Sequence, residues 1–215
     1  MRFIAFEKVI PEINKLSLPG LETQLKMAPS FRKNLIETFK LAQKSAKLAA
    51  VLVLFYPSDK GETNLVLILR KVYKGVHSAQ VGFPGGKPEI DDASLLDTAL
   101  RETWEEIGVS SDKITVLREL TSIYIPPSNF HVHPFVGISN KPLKFKLQKS
   151  EVDAVIEVSV SDFLNDNYEV TSKISDSNGT IHSVPAFKLK GQIVWGATAM
   201  VLMEIKSMLN LVLKK

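Results

Sequence analysis

The chain has 215 residues, 45% of them hydrophobic, with 11 glycines and a formal net charge of +4. This composition is that of ordinary globular material and is sufficient for one domain with a sizeable core. The sequence contains no cysteine, which excludes a disulfide framework and a metal–thiolate site and suits a reducing cytosol.

Neither a membrane partner nor a nucleic-acid partner is predicted. Charged Glu7 and Lys8 follow the first apolar residues at once, so no secretory signal forms. The longest apolar run, Leu48 to Tyr56, is far short of the roughly 20 residues of a membrane span. The lysines are scattered without interleaved aromatic residues, as on a solvated surface, and their field would also attract a phosphate-rich small molecule. We therefore expect a cytoplasmic protein that acts on a small molecule.

Residues 1–44 are predicted to form a helical extension that precedes the main domain at 45–215. Apolar residues between positions 2 and 15 recur with helical spacing, and Pro11 is expected to kink that helix. Residues 32–46 have the pattern of a second helix. Three roles are open for this extension: packing on the domain, packing on a second copy in a homodimer, or covering the substrate as a lid.

The main domain alternates strand patterns with two principal helices, which predicts an α+β fold. The predicted strands lie at 47–56, 64–70, within 114–125, at 134–139, 151–160, 168–174 and 181–189. Asn178 and Gly179 form a hairpin signal between the last two. Ser161 is expected to cap a short helix, and the final helix opens at Val194 and runs to about Leu213.

A loop, a helix and a stop are predicted between Phe83 and Val109. The stretch Phe83-Pro84-Gly85-Gly86 sets a tight turn whose glycines let the backbone approach a ligand or a metal closely. The run from Leu95 to Ile107 is rich in helix formers, and Gly108 is the expected stop. Three residues offer N-cap oxygens, namely Asp91, Asp92 and Ser94.

Three carboxylates, Glu102, Glu105 and Glu106, lie at i, i+3 and i+4, which places them on one face of that helix. Like charges so placed repel, at ~0.2–0.5 kcal/mol per pair, so a compensating cation is expected. The apolar residues fall on a different face, so we expect the acids to face outward, near the glycine-rich loop. Clustered hard oxygen ligands suit Mg²⁺ or Mn²⁺.

The order of these residues resembles the Nudix box, in which a glycine, an arginine–glutamate pair, paired glutamates and a glycine–aliphatic pair follow one another. Gly86, Arg101–Glu102, Glu105–Glu106 and Gly108–Val109 match that order. Fourteen residues separate Gly86 from Arg101 where the general pattern has thirteen, and Thr103 replaces an aliphatic residue.

The first acid of the box is displaced. The position separated from Arg101 by seven residues holds Ala93 in place of glutamate. The first acid is therefore absent, or it is supplied by Asp91 or Asp92.

One branch of the Nudix hydrolases, the coenzyme A pyrophosphatases, is similar over roughly residues 45 to 205. Arg70 and Phe83–Gly86 match the branch signature, whereas Lys71, Gly75 and Ala79 replace a small residue, a second arginine and a glycine. The resemblance implies the Nudix fold, an α+β domain whose mixed β-sheet lies between helices. It also implies hydrolysis of coenzyme A or its thioesters to 3′,5′-ADP and 4′-phosphopantetheine.

The resemblance further implies roles for individual residues. Glu102 and Glu106 are the principal metal ligands, Glu105 is a further ligand, the Gly86 carbonyl contributes, and Arg101 orients the carboxylates. The base that activates water is Glu102, Glu105 or Glu151. The residues expected to contact the substrate are Arg70, Lys71, His77, Gln80, Phe83, Ser128 and Phe130, with Lys74 as a further candidate for a 3′-phosphate.

Two other functions stay open. One is hydrolysis of another nucleoside diphosphate-linked compound, such as ADP-ribose or a dinucleoside polyphosphate, and the other is a non-catalytic nucleotide-sensing or partner-binding module. Retention of the acids favours an enzyme.

His131 and His133 suggest a metal pair, but a spacing of two at a strand end without a third ligand nearby favours a structural role.

Overall fold

The computed structural model describes residues 1–30, 45–71, 80–175 and 179–213. The predicted helix at 32–46 lies outside these ranges except for its last two residues. Lys74, Gly75, His77 and Ala79 also lie outside them, as does Asn178 of the predicted hairpin turn.

Five α-helices and eleven strands occur in the described ranges. The helices are α1 (Phe3–Lys15), α2 (Gly20–Gln24), α3 (Leu95–Ile107), α4 (Val160–Leu164) and α5 (Gly196–Leu213). The strands are β1 (Lys47–Pro57), β2 (Thr63–Arg70), β3 (Val81–Gly82), β4 (Gly85–Gly86), β5 (Thr115–Glu119), β6 (Ile123–Ile125), β7 (Phe130–Ile138), β8 (Val152–Ser159), β9 (Glu169–Ser175), β10 (Ile181–Leu189) and β11 (Gln192–Trp195).

The main sheet has eight strands in the order β3-β2-β1-β7-β5, with β4 paired to β1, β6 to β7 and β8 to β2. Strand β1 runs antiparallel to β2 and parallel to β7, so the sheet is mixed. Strands β9, β10 and β11 form a second, antiparallel sheet. The predicted hairpins β1–β2 and β9–β10 are both confirmed.

Helices cover both faces of the main sheet, and β1 is buried on both sides as expected for a central strand. Leu52 and Leu54 pack on one face with Ala99 and Ile107 of α3. The alternate β1 residues face the other side, where they join side chains of α1 and α5 in a second core. The predicted α+β fold, with a mixed sheet between helices, is confirmed.

The N-terminal extension packs on the second core. The ring of Phe6 on α1 lies 4.9 Å, centroid to centroid, from that of Phe55 on β1. Arg118 on β5 donates from Nη1 to the Ile13 and Leu16 carbonyls, at 2.8 Å each, and so satisfies the C-terminal end of α1. Of the three roles open for the extension, packing on the domain is therefore observed for residues 1–30.

A buried carboxylate fastens the extension to α5. Glu204 is fully buried and accepts hydrogen bonds from Gly20 N at 3.2 Å, Gln24 Nε2 at 2.9 Å and Thr121 Oγ1 at 2.6 Å. Its two oxygens thus connect α2, α5 and the turn between β5 and β6. Such a group is tolerated because hydrogen bonds replace the water it has lost.

Helix α5 is long and apolar enough to cross a membrane by length and composition, with a mean hydropathy of 1.4. However, 56% of its 18 residues are buried within the protein, and the core helix of a soluble protein passes the same test. The expected absence of a membrane partner stays a prediction.

Three boundaries differ from the predictions. Strand β7 begins at Phe130 instead of residue 134, because β1 pairs with it from Lys47↔Phe130 onward and draws the histidines into the ladder. Val194 and Trp195 lie in β11, so α5 begins two residues later than predicted, at Gly196. Ser159, and not Ser161, caps α4, because its Oγ accepts a hydrogen bond from Asp162 N at 3.0 Å.

We expect Glu204→Ala to lower the free energy of unfolding by about 3 kcal/mol, because three buried donors lose their acceptor and the helices lose a contact. Urea denaturation followed by circular dichroism measures this change. Glu7→Ala, an exposed glutamate on α1, is the matched control and should stay within about 0.5 kcal/mol of the native protein. A loss below about 1 kcal/mol for Glu204→Ala would contradict the assigned role.

Candidate active site

The paired glycines of β4 form one wall of the site. Gly85 and Gly86 pair with Val51 and Ala50 at the middle of the sheet. Gly85 has φ +150°, and a Cβ there would overlap the Ala50 carbonyl and Val51. A Cβ on Gly86 would overlap the carboxylate of Glu102. Glycine is required at position 85, because the backbone of β1 approaches it without a gap, whereas a side chain at position 86 would displace the Glu102 carboxylate.

Helix α3 has the bounds predicted from its caps. Ser94 Oγ accepts a hydrogen bond from Asp97 N at 3.2 Å, and Gly108 ends the helix in the left-handed region with φ +73°. The backbone N–H groups of Lys146 and Gln148 donate to the last carbonyls of α3, at 2.9 and 3.0 Å. Both ends of the helix that carries the acids are thereby fixed.

The three glutamates of α3 occupy different environments. The side chain of Glu105 is 44% exposed, that of Glu102 15% and that of Glu106 1%. The prediction that all three acids face outward is therefore wrong for Glu106. Its side chain is turned under the glycine turn, where Oε2 accepts a hydrogen bond from Gly85 N at 2.8 Å. The prediction failed because the helical pattern alone does not show this backbone donor.

Burial sets the protonation of the two inner acids. Loss of water raises the pKa of Glu106 to about 7, and the nearby Arg70 charge and the Gly85 N–H act in the opposite direction. Burial also raises the pKa of Glu102, with Arg101 opposing it. Both acids thus rely on nearby positive charge or a cation for their ionised form.

Arg101 organises the outer acids. Its guanidinium binds Asp92 with two hydrogen bonds, Nε to Oδ1 at 2.9 Å and Nη2 to Oδ2 at 3.0 Å. Its Nη1 donates to Glu102 Oε1 and Glu105 Oε2 at 3.2 Å each, and Nη2 donates to the Lys87 carbonyl at 2.9 Å. The bidentate pair holds the pKa of Asp92 well below its usual range.

Asp92 is the acid that contacts Arg101, of the two candidates for the displaced first acid of the box. It also accepts hydrogen bonds from Thr98 Oγ1 and Glu89 N at 2.9 Å each, which fix its orientation. Asp91 is exposed. Sequence reasoning left the two open because neither stands at the spacing of the general pattern.

The carboxylate oxygens of this cluster are suitable ligands for a hard divalent cation. Glu106 Oε1 is buried, without a hydrogen-bond partner among the described residues, and lies 3.2 Å from Arg70 Nη1. Within the described ranges no three acidic or histidine side chains converge to hold a metal ion. The unsatisfied oxygen of Glu106, together with Glu102 packed against Gly86, is what Mg²⁺ or Mn²⁺ would require.

Glu151 lies just before β8, on the same side as Glu106. Its charge contributes to the raised pKa of Glu106. Its side chain is exposed and accepts a hydrogen bond from Gln148 Nε2 at 3.2 Å, and its carbonyl accepts from Lys71 N at 2.8 Å. Glu151 is thus placed at the rim of the acid cluster.

The predicted substrate contacts divide between the site and the core. Arg70 ends β2 and reaches the acids, with Nη2 donating to the Gly85 carbonyl at 2.6 Å. Lys71 is exposed and donates to the Lys149 carbonyl at 3.0 Å, and the Gln80 carbonyl accepts from Arg70 N at 3.1 Å. Phe83 is 4% exposed and belongs to the second core, so its side chain does not face a ligand.

Ser128 and Phe130 belong to the segment that leads into β7. Ser128 lies in the short 3₁₀ helix Pro126–Ser128 and is half-buried. Phe130 opens β7, and Lys87 Nζ lies 5.5 Å from the centre of its ring. Sequence reasoning missed Lys87, although it directly follows Gly86 and its carbonyl is held by Arg101.

The two histidines of β7 have protein partners. His131 Nε2 lies 3.0 Å from Ser122 Oγ, and His133 Nδ1 lies 2.7 Å from Glu119 Oε1. Burial lowers the pKa of His131. The expected structural role of the two histidines stays a prediction.

Comparison with known proteins gives the family. The family model described as the NUDIX domain matches residues 46–176, more than half of the chain. An uncharacterised Nudix hydrolase of Yersinia enterocolitica, NudL, is 31% identical over 150 residues, which cover 70% of this chain and 76% of that protein. NudL of Yersinia pestis Pestoides F is also 31% identical, with 74% of its length covered.

Two solved structures are similar to this chain. The MutT protein of Methanosarcina mazei Go1 has a TM-score of 0.49 and 18% identity, covering 77% of this chain and 96% of that one. A MutT/nudix family protein of Enterococcus faecalis has a TM-score of 0.49 and 17% identity, covering 84% and 70%.

The family match spans the sheet, the glycine turn and the acid helix described above. It includes every residue of the Arg101 network and the buried Glu106. The chain therefore belongs to the Nudix hydrolases.

Proposed function

We propose that the protein hydrolyses the pyrophosphate bond of coenzyme A or its derivatives, yielding 3′,5′-ADP and 4′-phosphopantetheine. A Nudix hydrolase is an enzyme that acts on a nucleoside diphosphate-linked substrate. The narrower substrate rests on one observation. Arg70 and Gly85, which both belong to the residues that carry the resemblance to the coenzyme A branch, meet in the site through a hydrogen bond.

The metal ligands of the proposal are Glu102, Glu106 and the Gly86 carbonyl, with Glu105 as a further or water-mediated ligand. A divalent Mg²⁺ or Mn²⁺ ion bound there supplies charge neutralisation for the diphosphate and acidification of a water molecule. Arg101 holds Glu102 and Glu105 in orientation, and its own anchor is Asp92.

Three glutamates are candidates for the proton acceptor. Glu102 Oε1 and Glu105 Oε2 each accept a hydrogen bond from Arg101, so one oxygen of each carboxylate is already occupied. Glu151 is hydrogen-bonded to the neutral side chain of Gln148 and is exposed to water at the rim. We therefore favour Glu151 as the group that accepts the proton from the attacking water.

Cations around the acid cluster suit a phosphate-rich substrate. Arg70 and Lys71 are neighbours on the chain at the end of β2, and Lys87 directly follows the glycine turn. Phosphate groups bind such side chains through charge-assisted hydrogen bonds. In this arrangement the pantetheine arm would lie along Phe130.

A second candidate follows from the departures in the branch signature. Lys71, Gly75 and Ala79 stand where the signature has other residues, and these positions belong to the part of the motif that marks substrate class. The alternative substrate is another nucleoside diphosphate-linked compound, such as ADP-ribose or a dinucleoside polyphosphate. A non-catalytic sensing module is disfavoured, because the acids and their organising arginine are all in place. Homodimer formation and a cytoplasmic location stay predictions.

We expect Mg²⁺- or Mn²⁺-dependent conversion of coenzyme A to 3′,5′-ADP, resolved by chromatography, in parallel with ADP-ribose and a dinucleoside polyphosphate. Glu106→Gln should lower kcat/KM more than about 100-fold, beyond what the loss of an outer-sphere partner costs. Glu7→Gln makes the same chemical change on α1, behind the sheet, and should leave the rate unaltered. Turnover of ADP-ribose but not of coenzyme A would contradict coenzyme A as the substrate. If none of the compounds were hydrolysed, the proposed hydrolytic activity would be contradicted.

Asp92→Asn should lower kcat/KM by about 10- to 100-fold, as expected for a residue that orients metal ligands through another side chain. The cause is loss of the charged, bidentate partner of Arg101. Asp91→Asn removes the same charge from the adjacent exposed position and should have less than about a twofold effect. Equal losses in the two variants would show that local charge, and not the Arg101 contact, is responsible.

A further inference from the structure

We propose that Arg70 is an exchangeable counter-ion, which pairs with Glu106 in the metal-free protein and is displaced when a divalent cation binds that carboxylate. The inference rests on the proposed metal site at Glu106. It does not depend on which diphosphate the enzyme cleaves.

Arg70 is the last residue of β2 and lies beside an irregularity in the sheet. The register shifts between Leu69 and Arg70, where Leu69 pairs with Ala154 and Arg70 with Val152, so the extra residue lies in β8. Bulges are frequent beside active sites. The Arg70 guanidinium lies between two groups, with Nη1 3.2 Å from Glu106 Oε1 and Nη2 2.6 Å from the Gly85 carbonyl.

The ionised form of Glu106 needs a positively charged partner, whether that partner is a metal ion or a side chain. Its side chain is 1% exposed, and an ionised carboxylate without water or a positive partner is strongly disfavoured. Arg70 is the basic residue paired with it among the described residues. Without a metal ion, the negative charge of Glu106 is thus compensated by the Arg70 guanidinium, in place of the positive charge that the metal would supply.

The pairing is suited to exchange because only one oxygen of Glu106 is firmly held. Oε2 accepts the hydrogen bond from Gly85 N, whereas Oε1 has the Arg70 charge nearby but no hydrogen-bond partner in the described part of the chain. Departure of Arg70 would therefore leave the carboxylate positioned by Gly85. Oε1 would then present its lone pairs to the incoming ion.

Arg101 shows the contrasting case of an arginine that stays. It makes directed hydrogen bonds to Asp92, Glu102, Glu105 and the Lys87 carbonyl. Arg70, by comparison, has one directed bond to a carbonyl, and its side chain is 25% exposed. It can move toward water without burying its charge.

A divalent cation at Oε1 would lie a few ångströms from the Arg70 guanidinium, and like charges at such a distance repel strongly in a partly buried site. The two cations are therefore expected to exclude each other. A displaced guanidinium is available to a phosphate group, which it binds through paired hydrogen bonds. This exchange reconciles the predicted substrate contact of Arg70 with its ion pair to Glu106.

The first test measures Mn²⁺ binding without substrate, by the loss of the free-ion electron paramagnetic resonance signal. Arg70→Gln should bind Mn²⁺ at least about tenfold more tightly than the native protein, because a competing charge has been removed. Lys71→Gln is the matched control, since Lys71 carries the same charge one residue later and contacts the Lys149 carbonyl. It should change Mn²⁺ affinity less than about twofold. Unchanged or weaker binding by Arg70→Gln would overturn the proposal.

A second measurement uses the native protein and does not depend on the folding of a variant. Nitrogen-15 spectra of the arginine Nε–Hε groups are recorded during titration with Mg²⁺. The Arg70 signal, assigned with Arg70→Lys, should shift and exchange faster with water, whereas that of Arg118, held by carbonyls of α1, should not. An Arg70 signal that does not respond to Mg²⁺ would overturn the proposal. Failure to hydrolyse coenzyme A would overturn only the proposed function, because neither measurement includes substrate.

Discussion

The burial of Glu106 beneath the glycine turn is the constraint on which the rest of the site depends. A carboxylate that is 1% exposed is stable only if donors and positive charge replace its water. Gly85 N provides the donor, which requires a backbone at φ +150° lying directly on β1. Arg70 provides the charge from the end of β2. Strand, turn and helix therefore have to fit together before the acid can be placed.

Two arginines pair with the glutamates of the site. Arg101 ties Asp92 to the outer glutamates and so links the loop before α3 to the face of α3. Arg70 compensates the charge of the inner glutamate, Glu106. Each candidate metal ligand of α3 therefore has an arginine beside it. Under the proposed exchange, a divalent ion can bind only when at least one of these ion pairs rearranges.

Much of this arrangement could be predicted from local signals. Ser94 and Gly108 fixed the bounds of α3 because capping depends on neighbouring residues alone, and the β1–β2 hairpin followed from strand patterns and a polar turn. The conformation of Glu106 could not be predicted, since its donor lies 21 positions earlier in the chain. Likewise, the contact between Arg101 and Asp92 depends on the path of a loop, and the burial of Phe83 depends on what packs against it.

The most direct test of this account is the anomalous diffraction of crystals grown with Mn²⁺. We predict a single strong peak between the carboxylates of Glu102 and Glu106 beside the Gly86 carbonyl, with Arg70 turned away from Glu106. A Mn²⁺ ion bound elsewhere, or one bound to Glu106 while Arg70 keeps its ion pair, would contradict the account.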